Sequence, residues 1–497
     1  MWEHICMREF QTKELESLAL ELPEEVQQYK LAGALEEAQD AIGRWMKKPI
    51  SEALKTRLRY EQYILEELPL EFPYTEQEIL QLFQEKIPDF SSEDLKELER
   101  QNLAEWVYIH GEKHYIHNLL RNILDKDDDI RERAGLMEKL TEDKKLLLEK
   151  VKEIQEKKEV TEQIHLRTTI RLKDEVFQPG MKVKVHLPLP AKWYQTDEIQ
   201  ILDYTPGKKV TVDDVRSRYR SICIEDTLEE NRTFYVEYQM KVRTVYIDLW
   251  NENEAVSNVS LREGTDWKIS EEEQKEFLKE QYPHIRFSPY LKALAKEIVG
   301  GEKRPLEIAR RIYDYITEHV QYSYMKAYSL IPDIPQYCAR NLRGDCGVQA
   351  LLFITLCRIS GVPAGWQSGL YVNPAYVGPH DWAMFYVEPY GWLYADPSFG
   401  GSAFASGDEN RRRFYFGNLD PYRMTANHEF QQEFAVKKRF MPIDPYDNQS
   451  GEIESETQGF ASYEVETEKE YIRCEMTPTS SGGEEQISIS GGSQSPI

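Results

Sequence analysis

The sequence predicts a multidomain α+β protein, and three observations along the chain predict it. A chain of 497 residues is long enough for two to four domains with separate cores. Residues 1–162 are rich in Glu, Leu, Ala and Lys, with apolar residues spaced by three and four, which predicts a helical N-terminal region. Residues 163–250 alternate apolar and polar side chains in six or so short runs, which predicts an antiparallel β-sandwich. Beyond residue 251 helical segments return and are followed by further strands.

Within the helical region, residues 74–124 have a more distinctive pattern. Thr75 is placed to cap a helix with Glu78 completing a capping box, and Ser91 is placed to cap the next helix. A short hairpin turning at Gly111 follows. The order helix, helix, hairpin is similar to a winged helix. The second helix carries acidic as well as basic side chains, so a protein-interaction or spacer role is favoured over DNA binding.

Charge and cysteine content exclude several classes of protein. The formal net charge is −25 and the sequence pI is about 5.0, which disfavours binding to nucleic acid or anionic lipid. Neither a secretory signal nor an apolar run long enough to span a membrane is visible, so we expect a cytoplasmic protein without a membrane partner. A protein partner for the acidic helical N-terminal region is compatible with this composition. The six cysteines form no C-x-x-C pair and predict neither a disulfide framework nor a zinc site: Cys6, Cys223, Cys338, Cys346, Cys357 and Cys474.

The stretch RGDCGVQALLFITLCRISGVP, residues 343–363, predicts a buried helix that begins at Cys346. Gly361 and Pro363 end it. A cysteine at a helix N-terminus feels the positive end of the helix dipole, which favours the thiolate and so a nucleophile. The alternative is that Cys346 is a small buried residue with no chemical role.

Two later residues supply the side chains that a cysteine nucleophile needs. His380 begins a predicted strand, and Asp396 ends a second strand that follows a turn at residues 389–391. A hairpin folded symmetrically about Tyr390 puts both side chains on one face but about 13 Å apart along the strands. Simple hairpin geometry therefore does not establish their contact. The residue types still match a nucleophile, a base and an orienting acid.

Three separated motifs carry a family resemblance: GDCGVQALLFITLCRISGVPAGWQSGLYV, then HDW, then GWLYADPSFG. Together they resemble the bacterial transglutaminase-like superfamily, relatives of papain-type thiol enzymes, over roughly residues 283–430. The resemblance implies a papain-like α+β catalytic core with Cys346 as nucleophile, His380 as general base and Asp396 as orienting acid. Asp381 is a departure, because the family more often has a small residue before the tryptophan. It places a second carboxylate beside the base.

The implied activity is thiol-dependent acyl transfer on a peptide or glutamine-type amide bond, with water as the default acceptor. Transfer to an amine, as in a crosslinking transglutaminase, and a non-catalytic binding scaffold are the alternatives. No cofactor or metal is expected. The residues considered for substrate contact or a second oxyanion donor are Tyr322, Tyr324, Gln336, Tyr337, Trp366 and Trp382.

These interpretations divide the chain into five parts. The predicted parts are a helical region (1–162), a β-sandwich (163–250), a catalytic domain (251–435), a C-terminal extension (436–475) and a disordered tail (476–497).

Overall fold

A computed structural model describes residues 9–136, 141–251, 257–259, 261–262 and 267–472. The fold is a mixed α/β arrangement with several antiparallel sheets. Helices come first, strands dominate the middle, and both occur in the last part, as the sequence pattern predicts.

The helices begin and end as follows. They are α1 (Glu24–Leu31), α2 (Leu35–Met46), α3 (Glu52–Glu71), α4 (Glu76–Gln84), α5 (Ser92–Arg100), α6 (Leu119–Lys126), α7 (Asp128–Arg133), α8 (Glu142–Lys157), α9 (Glu271–Glu276), α10 (Pro289–Val299), α11 (Pro305–His319), α12 (Ile334–Asn341), α13 (Cys346–Ile359), α14 (Pro397–Ala405) and α15 (Glu409–Phe414). Short 3₁₀ helices are formed by Thr12–Ala19, Tyr328–Leu330 and Ser462–Glu464.

The strands are short in the N-terminal region and longer after α8. They are β1 (Tyr74–Thr75), β2 (Trp106–Ile109), β3 (Glu112–Tyr115), β4 (Glu159–Leu172), β5 (Met181–Pro188), β6 (Thr196–Tyr204), β7 (Lys209–Val212), β8 (Ser221–Leu228), β9 (Phe234–Val245), β10 (Gln321–Tyr322), β11 (Arg343–Gly344), β12 (Ala364–Asn373), β13 (Tyr376–Val387), β14 (Gly391–Ala395), β15 (Phe416–Gly417), β16 (Arg423–Asn427), β17 (Glu452–Ser455) and β18 (Val465–Tyr471).

In the N-terminal region both predicted caps are formed. Thr75 and Glu78 close a reciprocal capping box at α4, and Ser91 and Asp94 close another at α5. The hairpin of β2 and β3 turns at Gly111, and β1 adds a third strand beside β3. Buried apolar side chains from α1 to α7 form one core around this small sheet.

Two four-stranded antiparallel sheets follow. Their strand orders are β17-β5-β8-β7 and β18-β4-β9-β6. Apolar side chains from both sheets belong to one buried cluster. The outermost strands β17 and β18 come from the C-terminal extension, so residues 452–471 complete these sheets rather than forming a separate appendage. The predicted disordered tail, residues 476–497, lies outside the described residues.

A five-stranded antiparallel sheet of order β15-β14-β13-β12-β16 forms the framework of the region after α10. Helix α13 packs on β12 and β13, and its residues Gly347–Arg358 are all buried. The prediction of a buried helix beginning at Cys346 is therefore confirmed in position and length. Among the described residues, no helix is long and apolar enough to cross a bilayer.

Candidate active site

Cys346 is the first residue of α13, and the residue before it caps the helix. The Asp345 side chain accepts a hydrogen bond from the backbone N–H of Val348 at 3.2 Å. Cys346 itself is partly exposed, whereas the other described cysteines, Cys223, Cys338 and Cys357, are buried. Of the described cysteines, the one at the start of α13 is therefore the one that solvent can reach.

His380 and Asp396 are in direct contact. Nε2 of His380 lies 2.7 Å from Oδ2 of Asp396, and both side chains are buried. The strand register explains why this contact forms despite the 13 Å separation expected from a hairpin centred on Tyr390. Met384 pairs with Tyr394, so the hairpin is shifted by two residues relative to that expectation.

Asp396 also lies beyond the end of β14, which corrects its assignment to the second strand. It is the N-cap of α14, where Oδ1 accepts from the backbone N–H of Phe399 at 3.0 Å and from the Ser398 hydroxyl at 2.9 Å. Because Oδ1 is occupied by the cap, Oδ2 is left to contact His380. The helix start therefore fixes the orientation of the carboxylate.

Arg423, on β16, holds the opposite side of Asp396. Its Nη1 lies 3.0 Å from Oδ2 of Asp396, and its Nη2 lies 2.7 Å from Oδ2 of Asp420. All three side chains are completely buried. Burial acts to raise the pKa of Asp396, but the charges of His380 and Arg423 outweigh it and lower that pKa to about 2. Asp396 is therefore ionised across the physiological range.

Burial lowers the pKa of His380 below its usual value, and the Arg423 charge lowers it further, while Asp396 opposes both. The imidazole is consequently held neutral near pH 7 and is able to accept a proton.

The sulfur of Cys346 has a different hydrogen-bond partner. Its Sγ donates to Oδ2 of Asp381 at 3.3 Å. Among the hydrogen bonds of the described residues, none joins the Cys346 sulfur to the His380 imidazole. Since consecutive strand residues point to opposite faces, the side chains of His380 and Asp381 leave β13 on opposite sides. Burial, and then the carboxylates of Asp381 and Asp345, raise the pKa of the thiol well above its usual value. The thiolate expected from the helix dipole alone is therefore opposed by the surroundings of the sulfur.

A loop of the C-terminal extension completes the surroundings of Asp381. Nε2 of Gln449 donates to Oδ1 of Asp381, and the side chain of Asp447 also hydrogen-bonds to Asp381. On the helix side, the hydroxyl of Tyr328 donates to Asp345. The sequence patterns alone predicted no role for Gln449, Asp447 or Tyr328.

Three of the residues considered for substrate contact lie close to these groups. Tyr322 pairs with Gly344 across the β10–β11 bridge, and burial followed by the Cys346 charge raises the pKa of its phenol. The Trp366 ring borders Gly347, next to the sulfur. Trp382 donates from Nε1 to Gln367 at 2.9 Å and lies beside the His380 ring, with centroids 6.0 Å apart.

The other three are occupied elsewhere. Tyr324 exchanges two backbone hydrogen bonds with the side chain of Asn122, at 2.7 and 3.0 Å. The hydroxyl of Tyr337 donates to Glu105 at 3.0 Å, and Gln336 accepts from Ser288 at 2.7 Å.

These contacts bind the helical N-terminal region to the segment that leads to Cys346. Glu105 also pairs with Arg343 at 3.3 Å and with Lys326, and Glu71 accepts from the backbone N–H of Ala327 at 3.1 Å. The N-terminal region is thus packed on the approach to the candidate nucleophile. Nothing in the periodicity of residues 1–162 indicates this docking.

Among the described residues, no group of three or more His, Cys, Asp or Glu side chains is arranged to hold a metal ion.

Comparison with known proteins identifies one segment. The family described as Transglutaminase-like superfamily matches residues 292–397, a range that contains Cys346, His380 and Asp396. The resemblance inferred from the three motifs is confirmed for this segment. No curated protein matches the chain.

Several solved structures are similar to parts of the chain. A candidate cysteine protease from Cytophaga hutchinsonii is 15% identical, with a TM-score of 0.38, and the match covers 65% of this chain and 96% of that one. The periplasmic domain of TgpA from Pseudomonas aeruginosa is also 15% identical, with a TM-score of 0.28, and the match covers 50% of this chain and 92% of that one.

Proposed function

Because residues 292–397 belong to the transglutaminase-like superfamily, we propose that this protein is a thiol-dependent acyl-transfer enzyme that hydrolyses a peptide or glutamine-type amide bond. Cys346 is the nucleophile, His380 the general base and Asp396 the orienting acid. The observation that supports this most directly is the buried contact of His380 with Asp396 at 2.7 Å. It lies in the same matched segment as a partly exposed cysteine at a helix start.

In the proposed reaction, the thiol of Cys346 passes its proton to neutral His380 and attacks the carbonyl carbon of the amide. The imidazolium, stabilised by Asp396, returns the proton to the leaving amine, and a thioester remains. Water activated by His380 then releases the acid and regenerates the thiol. Since Cys346 shares no hydrogen bond with His380 and contacts Asp381, which leaves β13 on the other side, attack requires a rearrangement of the helix start or of β13 that brings the thiol to the imidazole. The backbone N–H of Cys346 is proposed as one oxyanion donor.

Amine transfer is the alternative fate of the same thioester. Water is favoured as acceptor because it is always in large excess. A non-catalytic binding scaffold is the alternative outside enzymology. The hydrogen bond of the thiol to Asp381, instead of to His380, is the observation that favours it.

Two experiments test the proposal. Iodoacetamide labelling near neutral pH should modify Cys346 faster than the buried Cys338 and Cys357, and Cys346→Ala should abolish turnover. Incubation of a glutaminyl peptide with and without a labelled primary amine then separates transfer from hydrolysis. Ordinary thiol reactivity together with no turnover of any peptide or amide would favour the scaffold.

The wider setting of the site is part of the same proposal. We propose a cytoplasmic protein whose acidic helical N-terminal region, with its winged-helix-like part at residues 74–124, contacts a protein partner and binds neither nucleic acid nor membrane. Residues 163–250 are proposed as a β-sandwich that precedes the catalytic domain of residues 251–435. Only a peptide or protein substrate is required for the reaction, without a cofactor.

A further inference from the structure

The carboxylate of Asp381 touches the reacting sulfur, yet the cysteine–histidine–aspartate relay does not use it. Its Oδ2 lies 3.3 Å from Sγ of Cys346, and the Asp381 side chain is 6% exposed. The backbone N–H of Asp381 also hydrogen-bonds to this sulfur, which favours the thiolate, whereas the carboxylate disfavours it. One residue thus acts on the sulfur in two opposite ways.

We propose that Asp381 is a further catalytic residue whose protonation state switches the nucleophile on and off. In the protonated form its carboxyl donates a hydrogen bond to the Cys346 thiolate and supports attack. In the ionised form it accepts the thiol proton and keeps the sulfur uncharged. This inference rests on the proposed function of Cys346 and adds a control to it.

Packing around the helix start keeps Asp381 against the sulfur. A Cβ atom placed on Gly347 would lie 2.6 Å from Oδ2 of Asp381 and 2.4 Å from the Tyr328 hydroxyl. Only a glycine fits between these groups. On its other oxygen, Asp381 is held by Gln449. The carboxyl therefore has little room to turn away from Cys346.

Other acidic groups face Asp381 from each element packed around it. Asp345 lies at the start of α13, and Asp444 and Asp447 lie in the loop of the C-terminal extension. Burial first, and then the Asp345 carboxylate, raise the pKa of Asp381 to about 7. Its protonation then changes within the physiological pH range.

The phenols of Tyr322 and Tyr328 face the same carboxyl. Burial raises the pKa of each phenol well above its usual value, so both stay protonated and do not titrate with Asp381. His380 follows on the opposite face of β13, where its partner is Asp396.

The charge of the carboxyl explains why the ionised form is inactive. With the Asp381 carboxyl protonated, loss of the thiol proton leaves a thiolate that accepts a hydrogen bond from that carboxyl. With the carboxyl ionised, a thiolate would stand 3.3 Å from a second negative charge, so the proton stays on sulfur. The reactivity of Cys346 should therefore stop rising as pH passes through the pKa of Asp381.

Asp381→Asn tests this in the full-length chain. The amide keeps the size of the side chain, keeps an acceptor oxygen for Gln449, presents an N–H donor to the sulfur and never ionises. We measure the rate of Cys346 alkylation by iodoacetamide from pH 5 to 9, which needs no substrate. The alkylation rate of wild type should rise with pH up to about pH 7 and then level off, whereas that of the variant should keep rising. At pH 8.5 the variant should react at least tenfold faster than wild type.

Asp444→Asn is the matched control, because it removes a neighbouring carboxyl that does not hydrogen-bond to the sulfur. It should preserve the levelling of the alkylation rate above neutral pH. If Asp381→Asn fails to fold, Asp381→Ala in the same assay should also lose that levelling. An alkylation profile that rises steadily with pH in wild type, or that is unchanged in the Asp381 variants, overturns the switch. Those results leave the proposed enzyme standing if peptide turnover still depends on Cys346, so the two failures are distinguishable.

Discussion

The Arg423 guanidinium lies 3.0 Å from Oδ2 of Asp396, the same oxygen that His380 contacts at 2.7 Å. Both Arg423 and Asp396 are completely buried, and Asp420 neutralises the remaining charge of the guanidinium. A buried carboxylate shared by an arginine and a histidine stays ionised and cannot rotate freely. The position of the His380 ring therefore depends on a residue 27 positions after Asp396 in the chain.

Replacing both Arg423 and Asp420 should leave the Asp396 carboxylate, and with it the His380 ring, less firmly oriented. Arg423→Met alone would leave two buried carboxylates without their cation, at a cost of about 3–5 kcal/mol of stability. We therefore choose Arg423→Met with Asp420→Asn. Loss of one charge-assisted hydrogen bond to Asp396, about 1.5–3 kcal/mol, should lower kcat/KM by roughly ten- to a hundredfold.

The pH profile separates this positioning effect from simple damage to the fold. Since Arg423 lowers the pKa of His380 more than Asp420 raises it, the double variant should move the acid limb of kcat/KM to higher pH. Arg423→Lys, which keeps the charge, should move the limb less. An unchanged limb together with a normal rate would contradict the positioning role.

Asp396→Asn isolates the charge of the orienting acid. Asparagine is as good a helix N-cap as aspartate, so α14 should still begin at Pro397. Without the carboxylate, imidazolium formation loses its stabilising partner, and kcat should fall by about 10³–10⁴-fold. The measurement is turnover of the peptide or amide substrate, with the melting temperature as a check on folding.

Asp408→Asn is the matched control for that change. Asp408 caps α15 by accepting from the backbone N–H of Arg411, in the same way that Asp396 caps α14. It does not contact His380, so its replacement should leave turnover within about twofold of wild type, as expected for a change of a few tenths of a kcal/mol. Equal losses in both variants would assign the effect to capping instead of charge.

Local sequence patterns predicted the elements that carry the site. The apolar run after Cys346 gave a buried helix with the right start, because a helix that is hydrophobic all round must be covered on every side. The capping boxes at Thr75 and Ser91 were legible because each is closed within four residues.

The contacts between distant segments could not be predicted in this way. The symmetric hairpin centred on Tyr390 was wrong by two residues, because register depends on the turn and on pairing with neighbouring strands. Likewise, hydrophobic periodicity does not encode which loop meets which strand, and so Gln449 reaching Asp381 was not foreseen. The packing of Asn122 against Tyr324 has the same explanation.

Gly347→Ala tests how tightly the helix start is packed. The added methyl group would meet Tyr328, Asp381 and Trp366 at 2.4, 2.6 and 3.0 Å, so at least one of them must move. Overpacking of this kind costs about 1–3 kcal/mol, and the displaced Asp381 should change the alkylation rate of Cys346. Both melting temperature and alkylation rate are measured.

Gly401→Ala provides the comparison. Gly401 is also helical, in α14, but the nearest atom to an added Cβ is 3.7 Å away, which is ordinary van der Waals contact. Because alanine favours helix over glycine by roughly 1 kcal/mol, this variant should be as stable as wild type or more stable. Destabilisation at Gly401 equal to that at Gly347 would show that helix glycines are required for another reason.

The buried carboxyl of Asp447, in the loop of the C-terminal extension, should make the free energy of unfolding depend on pH. Asp447→Asn measures the size of that contribution. Burial, and then the Asp381 carboxylate, raise the pKa of Asp447 well above its usual value. The folded state therefore keeps a proton that the unfolded chain releases above about pH 4. Its stabilising contribution is complete below that pH and is lost as pH rises through the folded pKa.

Two buried histidines act in the opposite direction, which is why the comparison must be between variants. Burial lowers the pKa of His284 and of His428 to about 3, so the wild-type curve of unfolding free energy against pH combines opposing slopes between pH 3 and 6.5.

Since asparagine does not titrate, Asp447→Asn should lose less free energy of unfolding than wild type between pH 5 and pH 8. One pKa unit is about 1.4 kcal/mol, so we expect a difference of at least about 1 kcal/mol by chemical denaturation. A variant curve parallel to that of wild type would show that the Asp447 carboxyl is ionised in the folded protein at both pH values.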